Sequence, residues 1–375
     1  MKKTLLGGLS PQQFLRRHWQ KQPLLIKNAF PRFQDLLTRK QLFELAYRDD
    51  ARARRVMQKR NTWEVVHGPF AAKDFRKLPA RNWTLLVQGV NHFLPQAQRL
   101  LQQFNFVPYA RLDDLMVSYA PPGGGVGPHF DSYDVFLLQG TGRRLWQISA
   151  QKDLRLIENA PLKILKRFNA EREWRVEAGD MLYLPPQYAH NGVALDDCMT
   201  YSIGFRAPSA QELAVEFLLY LQDHLHCHGL YRDSDLRLQS RPAQISESML
   251  RKAAHLLKQV KWNRRDIELF FGQYLTEPGS HVIFDPPKRP LAFADFVSRV
   301  TSKGTHLDLK SRMLIHRNRI FMNGETCEFK GNGLRRLAAL ADARELAARA
   351  VLDAKMQKQL YQWYAAGYIK IGPTP

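Results

Sequence analysis

Between about Leu112 and Arg206 the chain breaks into short runs of β-type residues separated by Gly and Pro, and this texture limits the possible folds more than any other feature of the sequence. The runs are Leu115–Tyr119, Val135–Gln139, Leu145–Ile148, Trp174–Val176, Met181–Leu184 and Met199–Phe205. Several short strands with turn signals between them predict a sandwich or barrel. Gly140-Thr141-Gly142 is placed to join two of them as a hairpin loop.

The flanking sequence has a different period. Pro11 to Gln20 reads as an amphipathic helix, Pro23 to Lys27 as a short buried strand, 37–58 as a helix carrying the basic run Arg52-Ala53-Arg54-Arg55, Trp63 to His67 as a strand and Asn82 to His92 as a helix. After Pro208-Ser209, Leu213, Phe217, Leu221 and Leu225 form one helical stripe within Ala210 to His228, and more helix is expected from Glu247 to Tyr274. Beyond the boundary at Pro286-Pro287-Lys288-Arg289-Pro290, a helix near Phe293–Thr301, strands Met313–His316 and Arg319–Met322, a turn at Asn323-Gly324 and helices over Leu334–Val351 and Lys355–Ala366 describe a winged-helix-like unit.

A length of 375 residues suits two to three domains. With 56 Lys+Arg against 35 Asp+Glu the net charge is +21, which draws the surface toward polyanions such as RNA or ribosomes without naming one. The apolar stretch after Met1-Lys2-Lys3-Thr4 is too short for a signal-peptide core, and no run approaches a membrane span, so a cytoplasmic protein is expected. Cys198, Cys227 and Cys327 lie far apart, fitting a reducing compartment and providing no CxxC metal knuckle. Gly123 to Gly127 lacks the Gly-Lys-Ser/Thr of a phosphate loop and is better suited to a close backbone approach at a pocket mouth. His224 and His228, one helical turn apart, have no third ligand in view.

The chemistry centres on His129-Phe130-Asp131. On a strand, residues two apart project to the same side with their Cα atoms about 7 Å apart, so an imidazole and a carboxylate can share one ion. Alone the pair is also compatible with two polar residues on a solvent-facing strand. His190, delivered by Gly179 to His190 just beyond a strand, would complete a set of two His and one carboxylate, which suits non-haem Fe(II) and leaves coordination positions open. Arg144 shares parity with Trp146 and Ile148, so if those face the core its guanidinium does too. An inward arginine beside a metal suggests a bidentate anion, for which a dicarboxylate such as 2-oxoglutarate qualifies; pairing with an internal Asp or Glu is the alternative. Ser118 can add a hydroxyl donor to the same carboxylate. Asp113, Asp114 and Asp134 lie close in sequence and would help a cationic substrate, although each also suits a surface or strand-end role.

The stretches Phe14–Phe30, Asn82–His92, Asp113–Trp146, Gly179–His190 and Tyr201–Pro208 closely resemble the JmjC-type ribosomal oxygenases, most of all the bacterial branch, which hydroxylates an arginine side chain of a large-subunit ribosomal protein. The resemblance is dense over about residues 10–208. It implies an α+β fold: a double-stranded β-helix (jelly roll, cupin-like) over 1–208, a helical dimerisation region over 209–285 and a winged-helix-like domain over 286–375. It also implies that His129, Asp131 and His190 bind Fe(II), that Arg144 and Ser118 hold 2-oxoglutarate, that O₂ is the second co-substrate, and that the protein is a homodimer. The excess positive charge would then favour rRNA during ribosome assembly. Two other readings remain: a nucleic-acid-binding regulator whose barrel is a catalytically dead sensor, and a metal-dependent cupin acting without O₂, which would normally offer more histidines.

Overall fold

The computed structural model describes residues 5–60 and 62–374. Residues 1–4, the start of the stretch judged too short for a signal peptide, lie outside the described residues. Among the described residues no helix is long and apolar enough to cross a membrane. The chain forms two compact units, one of Met1–Ala207, Pro278–Arg312 and Lys330–Pro375, the other of Pro208–Glu277 and Met313–Phe329.

Eleven strands build the barrel of the first unit: β1 (Leu24–Ile26), β2 (Ala53–Lys59), β3 (Thr62–His67), β4 (Trp83–Val87), β5 (Leu112–Ala120), β6 (Val135–Gln139), β7 (Arg144–Ser149), β8 (Arg172–Val176), β9 (Met181–Leu184), β10 (Ala189–Ala194) and β11 (Cys198–Phe205). They form an antiparallel eight-stranded sheet in the order β1-β9-β6-β11-β5-β4-β2-β3 and a smaller one in the order β10-β7-β8. This is the double-stranded β-helix expected from the sequence, with helices segregated to one face of the large sheet.

Alternation along the strands explains the layers. In β6, Phe136 and Leu138 enter the core beneath the helices with Phe14, Leu42 and Leu100, whereas Val135 and Leu137 meet Trp146, Ile148 and Val176 of the small sheet. Covered on both faces, Val135-Phe136-Leu137-Leu138 has to be apolar throughout. In β4, β5 and β11 the odd-numbered residues Leu85, Val117 and Tyr201 join the helix-side core. The even-numbered Thr84, Ser118 and Thr200 face the interior and line its cavity. The large sheet is therefore apolar toward the helices, while β4, β5 and β11 each bring a hydroxyl to the cavity.

Two expected helices prove to be partly strand. Within 37–58 only Arg39–Ala46 is helical, capped by Thr38 and Gln41, and the basic run enters β2. Asn82–His92 contains β4, whose five residues are all buried, followed by a 3-10 turn at Val90–His92. A short apolar run covered on both faces does not announce its period, and sheet pairing with β2 and β5 decides it.

In the C-terminal part of the first unit, a helix at Phe293–Lys303 precedes β12 (Thr305–Leu307); the helix expected over Leu334–Val351 spans only Gly331–Ala343, where Arg344 takes a left-handed conformation and the chain turns into a short strand. In the second unit the helix expected over Glu247–Tyr274 is two helices, Glu247–Leu257 and Arg264–Thr276, because Asn263 and Asp266 form a new capping box. The helix from Ala210 ends at His224. The expected strands Met313–His316 and Arg319–Met322 pair with each other and with Glu325–Glu328.

Candidate metal centre

His129 lies in the loop entering β6, and His190 lies beyond β9 as expected, as the second residue of β10. Reciprocal backbone hydrogen bonds, His129 N–H to His190 O at 2.9 Å and His190 N–H to His129 O at 2.8 Å, hold the two residues opposite each other. Their rings stand 4.2 Å apart between centroids. Each Nδ1 is 2.9 Å from a backbone carbonyl two residues earlier, that of Gly127 for His129 and of Tyr188 for His190. A carbonyl only accepts, so Nδ1 carries the proton on both rings and Nε2 keeps a free lone pair.

Asp131 is outside regular strand pairing. Its carbonyl accepts from the Gln187 N–H at 2.7 Å, and its Oδ2 is 3.7 Å from His190 Nε2. The three residues each offer a ligand atom, all within 4.8 Å of one another, and among the described residues no other group of three His, Cys, Asp or Glu does so. Burial, reinforced by His129, lowers the His190 pKa to about 4, so the imidazole stays neutral as a metal ligand must. Two imidazole nitrogens and one carboxylate fit Fe(II). His224 instead turns its Nδ1 to the Tyr220 carbonyl at 2.7 Å.

Arg144 opens β7 with the same parity as Trp146 and Ile148, and all three are buried. Its Nη1 donates to the Gly192 carbonyl at 3.1 Å and its Nη2 approaches Cys198 Sγ at 3.6 Å, while Nε is buried without a partner. Among the described residues no carboxylate pairs with it. Donors are left over on a buried cation, which is the chemistry that takes an anionic ligand. Ser118, on β5, lines the same cavity, whose volume is about 420 Å³.

The JmjC domain family matches residues 99–213, and the ROXA-like winged helix family matches 259–370. The ribosomal protein uL16 3-hydroxylase of Escherichia coli is 36% identical over 280 residues, 74% of each chain. The crystal structure of Escherichia coli YcfD superposes with a TM-score of 0.85 at 31% identity, over 96% of this chain and 98% of that one. The structure of YcfD, a ribosomal oxygenase from Escherichia coli, with cobalt and 2-oxoglutarate gives 0.82 at 32% identity, over 97% of this chain and 99% of that one. The chain belongs to the ribosomal oxygenase family.

The three neighbouring aspartates of this ribosomal oxygenase have separate fates. Asp134 is fully buried, accepting from the Tyr183 hydroxyl at 2.6 Å and Gln20 Nε2 at 3.0 Å, and so ties the turn after the helix Pro11–Arg17 to the barrel rather than meeting a substrate. Asp113 is exposed and pairs with Arg312 at 3.2 Å. Asp114 lines the cavity with Arg54, Met116 and Tyr133. Burial and the neighbouring Asp113 push its carboxyl up to about 6. Gly125 and Val126 form part of the wall, where a Cβ on Gly125 would come within 2.5 Å of the Gly192 carbonyl.

Sequence reasoning missed Thr84, Arg54 and Tyr133. Thr84 and Arg54 were hidden by the helical readings of their segments; as a strand, Trp83-Thr84-Leu85-Leu86-Val87 points its one hydroxyl inward, where Thr84 Oγ1 is buried with no partner.

Proposed function

We propose that this ribosomal oxygenase is an Fe(II)- and 2-oxoglutarate-dependent hydroxylase that adds one oxygen atom to an arginine side chain of ribosomal protein uL16. The observation that carries the reading is the His129/Asp131/His190 cluster, which shares one cavity with a buried guanidinium that no carboxylate among the described residues pairs with.

His129, Asp131 and His190 would hold the iron, and Arg144 with Ser118 would hold the far carboxylate of 2-oxoglutarate. When bound, iron and co-substrates supply the oxidising power: 2-oxoglutarate and O₂ become succinate and CO₂ as one oxygen atom enters a substrate C–H bond. The chain's own residues place the partners. The Gly127 and Tyr188 carbonyls fix the imidazole tautomers, and the Gly192 carbonyl aims the Arg144 fork. Val135, Leu137 and Trp146 line the cavity with apolar surface that excludes water. Asp114 and the Tyr133 ring offer a cationic side chain a carboxylate and an aromatic face.

A homodimer in the cytoplasm is part of the same proposal, with the 209–285 region as its interface and 1–208 and 286–375 as catalytic and winged-helix-like domains. Supporting it, Leu218, Leu219, Leu230, Leu236 and Leu238 of the second unit are all more than half exposed, an apolar excess that suits a partner surface. The +21 charge supports contact with rRNA.

The test is conversion of 2-oxoglutarate to succinate by the purified chain with Fe(II), O₂ and a uL16 peptide. Turnover lost in His129→Ala supports the enzyme; nucleic-acid binding with no succinate from the intact chain would favour the regulatory reading.

A further inference from the structure

β5 and β11 do not stay in register at the cavity. Ile203 faces Leu115, but two residues later Phe205 faces Leu112, so three steps of β5 answer two of β11. The extra residue falls at Asp113-Asp114, opposite Gly204, where a Cβ would stand 3.6 Å from Asp114 Oδ1 and 4.0 Å from Asp113 Cβ. A bulge re-aims the side chains it carries. This one sets the exposed Asp113 beside Asp114, which lines the cavity, and the two carboxylates repel each other.

The elements around them hold the bulge in place. Gly89, at the start of the 3-10 turn, donates its N–H to Asp114 Oδ2 at 2.9 Å, and Asn91 of that turn accepts the Leu115 N–H at 2.9 Å. From the C-terminal part of the same compact unit, Arg312 reaches Asp113 with Nη2, at 2.5 Å from its backbone carbonyl and 3.2 Å from Oδ1. The loop carrying Arg312 is fastened from behind by Arg344, which donates to the Asp308 carbonyl at 2.8 Å and the Ser311 carbonyl at 3.0 Å. A chain of contacts therefore runs from the helix ending at Ala343 to the rim of the cavity.

We infer that Arg312 is a positioning residue for the substrate cation: by holding both the carbonyl and the carboxylate of Asp113 it fixes the bulge and leaves Asp114 as the ionised group facing the cavity. This rests on the proposal that Asp114 meets the substrate's cation. It gives the C-terminal region a part in substrate recognition with no contact to the substrate. The charged and titratable groups around Asp114 are Asp113 on its own strand, Arg312 from the C-terminal loop, Arg52 before β2, Arg54 on β2 and Tyr133 before β6. Asp113 raises the Asp114 carboxyl, whereas the Gly89 amide, Arg312 and Arg52 lower it.

The test measures, by fluorescence anisotropy, the Kd of a labelled uL16 peptide with its arginine intact or replaced by neutral citrulline, for the full chain between pH 5 and 8. The wild type should lose affinity for the arginine peptide as pH falls through about 6, the Asp114 carboxyl. Arg312→Gln should move that limb upward by about one pH unit, weakening binding about threefold at pH 6.5, and Arg312→Lys should restore it. Asp113→Asn breaks the same ion pair but removes the repelling charge, so its limb should move downward. Opposite shifts from two variants that break one contact are not what a merely structural contact gives, and the citrulline peptide should show neither. If Asp114→Asn leaves arginine-peptide affinity at its wild-type value, the substrate role of Asp114 falls and the inference with it. If Asp114→Asn weakens binding but Arg312→Gln keeps the wild-type profile, or the two ion-pair variants shift alike, the role of Arg312 alone is refuted.

Discussion

Replacing Arg144 by Met separates a structural arginine from one kept for a ligand. The residue is 4% exposed, donates to one carbonyl, has an orphaned Nε and, among the described residues, no carboxylate partner. An unpaired buried charge opposes folding, and apolar replacement of similar volume should stabilise the co-substrate-free protein by about 1–3 kcal/mol, a rise of a few degrees in Tm. The bidentate pairing with a carboxylate is worth about 3–5 kcal/mol, so 2-oxoglutarate affinity should fall roughly 10²- to 10⁴-fold. Thermal melts of the chain with Mn(II), with and without 2-oxoglutarate, read both effects. At a concentration of about 100 Kd the ligand stabilises the wild type by about 2.7 kcal/mol, and it should leave Arg144→Met unmoved. A variant that melts lower than wild type in the absence of ligand and still gains the full 2-oxoglutarate shift would refute the reasoning.

Gly192→Ala places a Cβ 2.5 Å from the Trp146 ring, so β10 or the indole must shift; stability should drop by about 1–3 kcal/mol, and because the Gly192 carbonyl orients Arg144, calorimetry should show weakened 2-oxoglutarate binding as well. In metal-free protein His190 has its pKa lowered to about 4 against 6.5. The unfolded chain therefore binds the extra proton first, and its contribution to stability, full above about pH 6.5, is lost as pH falls toward 4, by up to about 3 kcal/mol; His190→Gln should flatten that part of the denaturation profile. Turnover on assembling ribosomal particles should fall more steeply with salt than turnover on free peptide if the basic surface engages rRNA; equal salt responses would count against that contact.

The barrel was legible because its strands alternate between a helix-covered and a cavity face, and Arg144 was legible because it keeps step with Trp146 and Ile148. His129 and Asp131 were named for a reason the structure changes: they are gathered by the bridge to His190 and the contact with Gln187, outside regular strand pairing. β4 and β2 were read as helices because tertiary pairing, absent from any local window, overrides a weak period. The bulge at Asp113-Asp114 was invisible for a related reason, since register is a property of two strands and neither carries it alone.

The most direct measurement is mass spectrometry of ribosomal proteins from cells with and without the gene. The account predicts that uL16 carries one added oxygen atom on an arginine only when the gene is present, and that a His129→Ala copy does not restore it. Identical uL16 masses in the two cell lines would contradict it.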